Sequence, residues 1–380
     1  MRVAIVRRTP NTSFSMDVYA NGLVSGLKAV RPDWDIVEIQ PQLSAHKHKF
    51  FGHKVREKAS QYYEQYWNYP QTVKTLDAEI IHIVDHSDAH LAYWLKSLPV
   101  QTVVTCHDLI NLLQPENASH QALLPGISSA LWRYSVKGLK AADHVVAVSS
   151  HTAKDAVNLL QISPEHVSVA YNGVESIFAI TPLTDPYALR KQHRIPHNCF
   201  CLINVGSNQP RKNIETVLQA LSKLVHCETG SAPVHLIKAG AAFTTEQEAL
   251  IQREGLQLHI THIQNPDKAT LIKLYNIADV LVAPSLYEGF GITILEAMAC
   301  GVPVITSNVS SLPEVAGDAA LLIEPADVDA LVNKVRSLQS NSNLYESFVR
   351  KGLSRTANFT WEQSAERVAK IYESLRKTVV

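Results

Sequence analysis

Short apolar runs, rich in β-branched residues, alternate along the chain with longer segments in which apolar residues recur at helical spacing. Near-continuous apolar runs of this length are typical of parallel strands that helices cover on both faces. The runs predict six strands in each half of the chain, at residues 3–6, 35–39, 80–84, 103–106, 144–148 and 167–171, then at 201–205, 235–239, 259–263, 280–283, 302–306 and 320–323. The alternation of strand and helix predicts an α/β fold with two open, doubly wound parallel sheets rather than a barrel of eight equal units.

A polar, proline-containing segment at residues 180–198 separates the two sets of strands, and 380 residues exceed what one ordinary core accommodates. We therefore predict a first domain at residues 1–180 and a second at 181–358. Apolar side chains at helical spacing in residues 361–375 predict a final helix within residues 359–380. Ligands of doubly wound sheets bind at the carboxyl ends of the strands, so we expect the site in loops that face a cleft between two Rossmann-like domains.

Composition and charge narrow the class of protein. Lys and Arg total 35, as do Asp and Glu, so no overall field favours nucleic acid. The N-terminus lacks the apolar core of a signal peptide, and no run approaches the ~18 apolar residues of a membrane span. Five scattered cysteines predict buried, reduced thiols. These features predict a cytoplasmic protein, with the inner face of the cell membrane as the expected place of any membrane contact.

The most informative stretch follows the strand at 280–283 and contains two glutamates, Glu288 and Glu296, on either side of a glycine-rich turn. Gly289 and Gly291 let a ligand approach the backbone, and the helix that follows presents N–H groups to an anion. A diphosphate fits that helix end, with Glu288 beside a sugar and Glu296 accepting hydrogen bonds from a ribose. For either glutamate alone, a structural role explains the residue as well as a functional one does: Glu288 as a loop charge, and Glu296 as a residue of the first helical turns that the dipole favours. The pair across this turn favours a binding site.

A second loop, after the strand at 201–205, contains Gly206 and the adjacent cations Arg211 and Lys212. Two cations at the start of a helix oppose the helix dipole unless an anion compensates them. Arg offers a forked donor and Lys a point charge, which together suit a diphosphate. The loop therefore predicts a phosphate-binding element.

In the first half, His107 and Asp108 follow the strand at 103–106, which places the histidine at the carboxyl edge of the predicted sheet. Asp108 is expected either to orient this histidine or to cap the segment that follows. A lone His-Asp pair is more often structural than functional, so its assignment depends on the other motifs.

Together, these stretches resemble glycosyltransferase family four, retaining glycosyltransferases with the GT-B fold, over nearly the whole chain. The resemblance is strongest at residues 205–213 and 283–320. It implies a last helix that crosses back onto the first domain, and a His107 that closes over the donor sugar. It implies catalytic roles for Glu288, His107, Arg211 and Lys212, donor contacts from Gly206, Ser207, Asn213, Gly289, Phe290, Gly291, Ile292 and Glu296, and an acceptor-side wall that includes His86.

Two positions depart from the family pattern. Ser207 stands where relatives often have Arg, which leaves a smaller cationic clamp. The first strand-to-helix loop lacks the paired glycines of relatives. Ser15 and Asp17 are expected there on the acceptor side, where such side chains cap a helix or contact an acceptor hydroxyl.

The expected activity is transfer of a hexose from a nucleotide diphosphate sugar to a saccharide or lipid-linked saccharide, with retention of configuration. UDP-glucose or a similar UDP-hexose is favoured, and GDP-mannose-dependent mannosyl transfer is the alternative. A sugar-nucleotide-binding protein without catalysis is the competing class. No cofactor and no metal are expected: Asp327-Val-Asp329 spells a metal-binding pattern but opens a predicted helix, where Asp is an ordinary cap.

Residues 46–69 mix Lys, Arg and His with aromatic side chains. Two interpretations of this segment are equally good. Either its loop and helix simply pack their aromatic side chains on the first domain, or the segment forms an acceptor-binding or membrane-interface patch. The small size of the patch and the neutral chain argue against nucleic acid as a partner.

Overall fold

The computed structural model describes residues 1–9, 14–41, 60–113, 125–182, 185–226 and 232–377. The chain divides into two compact units. Unit 1 comprises Met1–Gly173 together with Trp361–Val380, and unit 2 comprises Val174–Thr360. Each unit contains one six-stranded parallel sheet, which confirms the predicted α/β class.

Unit 1 is built on a sheet in the order β2-β1-β3-β4-β5-β6. Its strands are β1 (Arg2–Val6), β2 (Asp35–Ile39), β3 (Ile80–Ile83), β4 (Gln101–Cys106), β5 (His144–Ala147) and β6 (Val167–Val169). Its described helices are α1 (Phe14–Val30), α2 (Tyr69–Lys74), α3 (Leu91–Leu95), α4 (Ile110–Leu113), α5 (Pro125–Lys137), α6 (Ser150–Leu160) and the last helix of the chain, Trp361–Lys377.

That last helix packs closely on α1. A Cβ added at Gly22 would lie 2.1 Å from Cε2 of Trp361, and one at Gly26 would lie 2.4 Å from the Trp361 carbonyl oxygen. Arg31, just beyond α1, ties the helix down by ion pairs with Glu366 (2.7 Å) and Glu373 (2.8 Å). Two glycines one helical turn apart therefore let the chain's final helix join the unit formed by its first residues.

Unit 2 has the strand order β12-β11-β10-β7-β8-β9. Its strands are β7 (Phe200–Gly206), β8 (Val234–Gly240), β9 (Ile260–Gln264), β10 (Val280–Ala283), β11 (Val304–Ser307) and β12 (Ala320–Ile323). Its described helices are α7 (Pro186–Gln192), α8 (Ile214–His226), α9 (Thr245–Arg253), α10 (Lys268–Ile277), α11 (Ile292–Ala299), α12 (Leu312–Ala316), α13 (Val328–Ser340) and α14 (Ser342–Thr356), so the last helix in unit 1 is α15.

All twelve predicted strands are present, with ends that differ by two residues at most. The buried apolar runs explain this agreement, since strands such as β3 and β5 are buried at every position. Each sheet also has a switch point, between β1 and β3 in unit 1 and between β7 and β10 in unit 2, where the direction of winding reverses. Loops at the carboxyl ends of such strands diverge and leave room for a ligand.

Candidate active site

The switch point of unit 2 brings together the two loops singled out in its sequence. Strand β7 lies beside β10, with Leu202 opposite Val280 and Ile203 opposite Leu281. The loop after β7 leads to Arg211 and Lys212, and the loop after β10 leads to Glu288. Residues about 76 positions apart in sequence therefore lie side by side at the carboxyl edge of one sheet.

These three residues form an ion cluster. Arg211 Nη1 lies 2.7 Å from Glu288 Oε2, and Lys212 Nζ lies 2.6 Å from Glu288 Oε1. Ser285 Oγ donates a third hydrogen bond to Oε1, at 2.8 Å. The Glu288 side chain is 9% exposed, whereas those of Arg211 and Lys212 are 18% and 16% exposed. The cations thus retain more access to solvent than their carboxylate does.

Burial alone would raise the pKa of Glu288, but the charges of Lys212 and Arg211 and the hydrogen bonds outweigh it and lower that pKa to about 2. Glu288 is therefore ionised at any physiological pH. With two cations against one carboxylate, the cluster keeps one positive charge in surplus, which an anionic ligand would compensate.

Backbone and amide contacts hold the two loops in register. Asn213 has a left-handed conformation (φ 55°), and its Nδ2 donates to the carbonyls of Pro284 (2.9 Å) and Pro325 (2.7 Å). Leu286 N donates to the Arg211 carbonyl at 2.7 Å. The left-handed turn ends the short segment that carries Arg211 and Lys212 and directs the chain into α8. Ser207 lies exposed at the start of this loop.

The glycine-rich turn after Glu288 leads into α11, as predicted. Gly291 has φ 91°, and a Cβ there would lie 2.8 Å from Leu312 Cδ2, so this position requires glycine. Gly289 and Phe290 are buried, and Ile292 is the first residue of the helix. The N–H groups of the first turn consequently point out of the edge of the sheet that carries the ion cluster.

Glu296 lies one turn inside α11 and is only partly exposed. Its Oε2 accepts a hydrogen bond from the buried Tyr275 hydroxyl, at 3.0 Å. Burial raises the pKa of Glu296 to about 7, whereas its motif partner Glu288 stays ionised. The two glutamates of the motif therefore occupy different electrostatic environments, which the sequence alone does not reveal.

In unit 1, His107 is buried at the end of β4 and Nε2 lies 2.8 Å from the Val84 carbonyl oxygen. A carbonyl only accepts, so Nε2 carries the proton and Nδ1 remains an acceptor. Burial lowers the pKa of His107, which keeps the ring neutral. Asp108 Oδ1 accepts from Ile110 N at 3.3 Å. The capping alternative for Asp108 is thus the observed one, and the neighbouring strand's carbonyl orients the histidine.

His86 lies next to His107, whose backbone N–H donates to His86 Nδ1 at 3.3 Å. Of the other two residues expected on the acceptor side, Ser15 is exposed on α1 and Asp17 Oδ1 lies 3.7 Å from Arg7 Nη2. Sequence reasoning missed Arg8, which donates to the buried Asp85 at 2.8 Å across the β1–β3 switch point. Only the strand order reveals that pair, since the two residues are 77 positions apart.

Comparison with known proteins identifies the family. The profile of the glycosyl transferases group 1 matches residues 187–355, and that of glycosyltransferase family 4 matches residues 28–176. The O-antigen chain mannosyltransferase B of Escherichia coli is 31% identical over 294 residues, which cover 74% of this chain and 73% of that protein. The chain belongs to glycosyltransferase family 4.

A further relative and two solved structures are also similar to this glycosyltransferase. The serotype-specific mannosyltransferase WbdA of E. coli is 27% identical over 77% of this chain, which spans about a third (36%) of that longer protein. Sucrose-phosphate synthase from Thermosynechococcus elongatus has a TM-score of 0.74 at 21% identity, with 100% of both chains covered. WaaG, a glycosyltransferase of lipopolysaccharide biosynthesis, has a TM-score of 0.69 at 17% identity, over 98% of this chain and 99% of its own. These structures show that the fold is GT-B.

Asp327 and Asp329 of this glycosyltransferase spell a metal-binding pattern, but we predicted that they are ordinary residues at the start of a helix. Asp327 caps α13 by accepting from Ala330 N at 2.8 Å, and Asp329 lies 2.6 Å from Lys223 Nζ. Within the part of the chain that the structure describes, no group of three or more His, Cys, Asp and Glu side chains could hold a metal ion. These aspartates thus have the structural roles expected of them, while the metal requirement of the reaction stays a prediction.

The four cysteines within the described ranges are buried free thiols, as predicted, and Cys227 lies outside those ranges. Among the described residues, none of the helices combines the length and apolar character that crossing a bilayer requires. Residues 46–59 of the basic and aromatic segment lie outside the described residues, so its described part is limited to residues 60–69.

Proposed function

We propose that the chain transfers a hexose from a nucleotide diphosphate sugar to a saccharide or lipid-linked saccharide, with retention of configuration and without a metal ion. The observation that carries this proposal is the cluster of Arg211, Lys212 and Glu288 at the switch point of unit 2. Its surplus positive charge and the adjacent N-terminus of α11 suit a leaving diphosphate.

In this reaction the bond between the anomeric carbon and the β-phosphate oxygen breaks, and both electrons leave with the phosphate. Arg211 and Lys212 would stabilise that developing charge, which is the largest electrostatic demand of the step. The acceptor hydroxyl attacks the face that the phosphate leaves, and its proton passes to the phosphate oxygen. Retention then follows without a covalent intermediate on the protein.

The environment of Glu288 supports this route over a double displacement. A carboxylate that accepts three hydrogen bonds, two of them from cations, and whose pKa is about 2 is a weak nucleophile. Glu288 is better suited to ease positive charge near the anomeric carbon. We keep a catalytic role for His107 in the proposal, since its neutral ring leaves Nδ1 as an acceptor.

The donor sugar is the least constrained part of the proposal. The family resemblance favours UDP-glucose, whereas O-antigen chain mannosyltransferase B and WbdA are both named as mannosyltransferases, the first of them for an O-antigen chain. Those names favour GDP-mannose as the donor and a growing glycan as the acceptor. We therefore propose mannosyl transfer first and glucosyl transfer from UDP-glucose second.

A donor panel tests both levels of the proposal. UDP-glucose, UDP-galactose, GDP-mannose and ADP-glucose are each incubated with the protein and a series of mannose- or glucose-terminated oligosaccharides, and release of nucleoside diphosphate is measured. Proton NMR of the product gives the anomeric configuration. Acceptor-dependent release from one donor with a retained anomer supports the proposal. Release from none, with tight nucleotide binding, would favour a binding protein instead.

We also propose a cytoplasmic location with peripheral contact to the inner membrane face. Two aromatic side chains of the described part of residues 60–69 are largely exposed, Tyr63 at 58% and Trp67 at 53%. The Trp67 ring packs edge-on against Trp94, and Lys74 lies over the Trp94 ring. Exposed aromatic rings beside a cation suit the interface of an anionic bilayer. Vesicle sedimentation that is unchanged in Trp67→Ser, or that is absent altogether, would contradict this assignment.

A further inference from the structure

Lys238 is a charged residue in the interior of unit 2. It lies on β8, where its register neighbours are Asn204 on β7 and His262 on β9, and it is fully buried. Lysine is almost never fully buried unless an opposite charge pairs with it. A lysine in this position therefore calls for an explanation other than packing.

The contacts of Lys238 do not include such a partner. Its Nζ donates to the Gly206 carbonyl oxygen at 2.9 Å. Among the residues that the structure describes, no carboxylate forms an ion pair with it, and the charge that acts on it is that of Lys212. Burial and the positive charge of Lys212 lower the pKa of Lys238 to about 8. At neutral pH it is consequently a buried ammonium without a counter-ion.

Gly206, which accepts from Lys238, is the last residue of β7 and lies at the start of the loop to Arg211 and Lys212. Its φ is 130°, and a Cβ there would lie 3.7 Å from Cε and 3.8 Å from Nζ of Lys212. On the neighbouring strand, a Cβ at Gly240 would lie 2.2 Å from the Gly206 carbonyl oxygen. Two ammonium groups thus approach Gly206, and the Gly206 carbonyl leaves no room for a side chain at position 240.

The charges of this region complement a diphosphate. Arg211, Lys212 and Lys238 contribute three positive charges and Glu288 one negative charge, and the carboxyl group of Glu296, whose pKa is about 7, is partly ionised near Lys212, so positive charge remains in surplus. An unpaired buried ammonium costs folding free energy. Its cost is offset when an anion binds beside it.

We infer that Lys238 is a positioning residue for the donor diphosphate: it fixes the Gly206 carbonyl beneath the phosphate-binding loop and supplies positive charge from inside the sheet. This inference rests on the proposed function, because it assumes that the loop binds a nucleoside diphosphate.

The test is Lys238→Met, which keeps the length of the side chain and removes its charge and its donor. The Gly206 carbonyl keeps its hydrogen bond from Ala241 N, at 3.2 Å, so no buried acceptor is left unsatisfied. Lys223→Met is the matched control, because Lys223 is an exposed lysine of the same unit, paired with the exposed Asp329. Calorimetry measures the dissociation constants of UDP, GDP, uridine and guanosine, and thermal melts measure stability.

The inference predicts that Lys238→Met melts at the same or a higher temperature than the wild type, yet binds the nucleoside diphosphate about 10- to 100-fold more weakly. The donor KM should rise by a similar factor, while binding of the matching nucleoside and all properties of Lys223→Met stay unchanged. A lysine that merely packed the sheet would not weaken the diphosphate form selectively.

The other possible results would overturn either the role of Lys238 or the proposed function. Unchanged diphosphate affinity in Lys238→Met would overturn the inference and leave the proposed function standing. Equal weakening of diphosphate and nucleoside would show a general disturbance of the unit, and would also overturn it. Should Lys238→Met fail to fold, Lys238→Gln serves in the same comparison. Failure of the wild type to bind either diphosphate would overturn the proposed function itself.

Discussion

Replacing Glu288 by Gln should separate diphosphate binding from catalysis. The substitution removes a buried negative charge and leaves Arg211 and Lys212 facing an amide. Loss of one partner from a fully buried ion pair costs about 3–5 kcal/mol. Because the two cations are 18% and 16% exposed and regain some hydration, we expect about 2–3 kcal/mol. For a unit of this size, that corresponds to a melting temperature about 5–10 °C lower.

A nucleoside diphosphate should restore what the substitution removes, since its charge replaces that of the carboxylate between the two cations. The ligand should therefore raise the melting temperature of Glu288→Gln by more than it raises that of the wild type. At the same time kcat should fall by ~10²-fold or more, because the carboxylate no longer acts near the anomeric carbon. Calorimetry, melts with and without UDP or GDP, and full steady-state curves in donor give these quantities.

Glu346→Gln is the matched control for this comparison, since Glu346 is exposed on α14. It should leave melting temperature, affinity and kcat unchanged. A loss of diphosphate affinity in Glu288→Gln in proportion to its loss of kcat would contradict this prediction. That result would mean that the carboxylate holds the cations in a binding-competent arrangement and has no separate role in the reaction.

Three further predictions concern the neighbouring residues. Arg211→Ala and Lys212→Ala should each slow transfer by ~10²-fold or more and weaken donor binding without unfolding the protein. Kinetics within a few-fold of the wild type in both variants would contradict the assignment of this loop to the phosphates. The pKa of Glu296 is about 7, so its carboxyl group ionises as pH rises through 7, and the ionised form is the better acceptor for a ribose hydroxyl. Donor KM of the wild type should therefore fall as pH rises through 7. Glu296→Gln should abolish that dependence and, at pH 8, raise donor KM by a factor equivalent to about 1–3 kcal/mol with little change in kcat. A donor KM that does not depend on pH in the wild type would contradict this role. Transfer should survive excess EDTA, whereas loss that magnesium or manganese restores would bring Asp327 and Asp329 back into consideration.

The sequence was sufficient for the fold because buried parallel strands leave uninterrupted apolar runs, and β3 and β5 are buried throughout. It also identified both loops of the ion cluster, since glycines and paired cations have a local signature. Their meeting follows from strand order, because β10 lies beside β7.

The interior electrostatics of the site could not be predicted. Lys238 interrupts an apolar run, and nothing local distinguishes a buried lysine from one that faces solvent. The opposite environments of Glu288 and Glu296 depend on Lys212 and Tyr275, which are far away in sequence. Whether Asp108 orients His107 or caps the next segment could be decided only from the structure. The group that orients His107 is the carbonyl of Val84, which directly follows the neighbouring strand β3, and Asp108 is left to cap.

A crystal structure of the protein with UDP or GDP would show whether the β7 and β10 loops of unit 2 hold a donor diphosphate. We predict phosphate oxygens within hydrogen-bond distance of Arg211 and Lys212 and of the N–H groups at the start of α11. A nucleotide bound elsewhere, with the Glu288 ion pairs undisturbed and no phosphate contact from either cation, would contradict it.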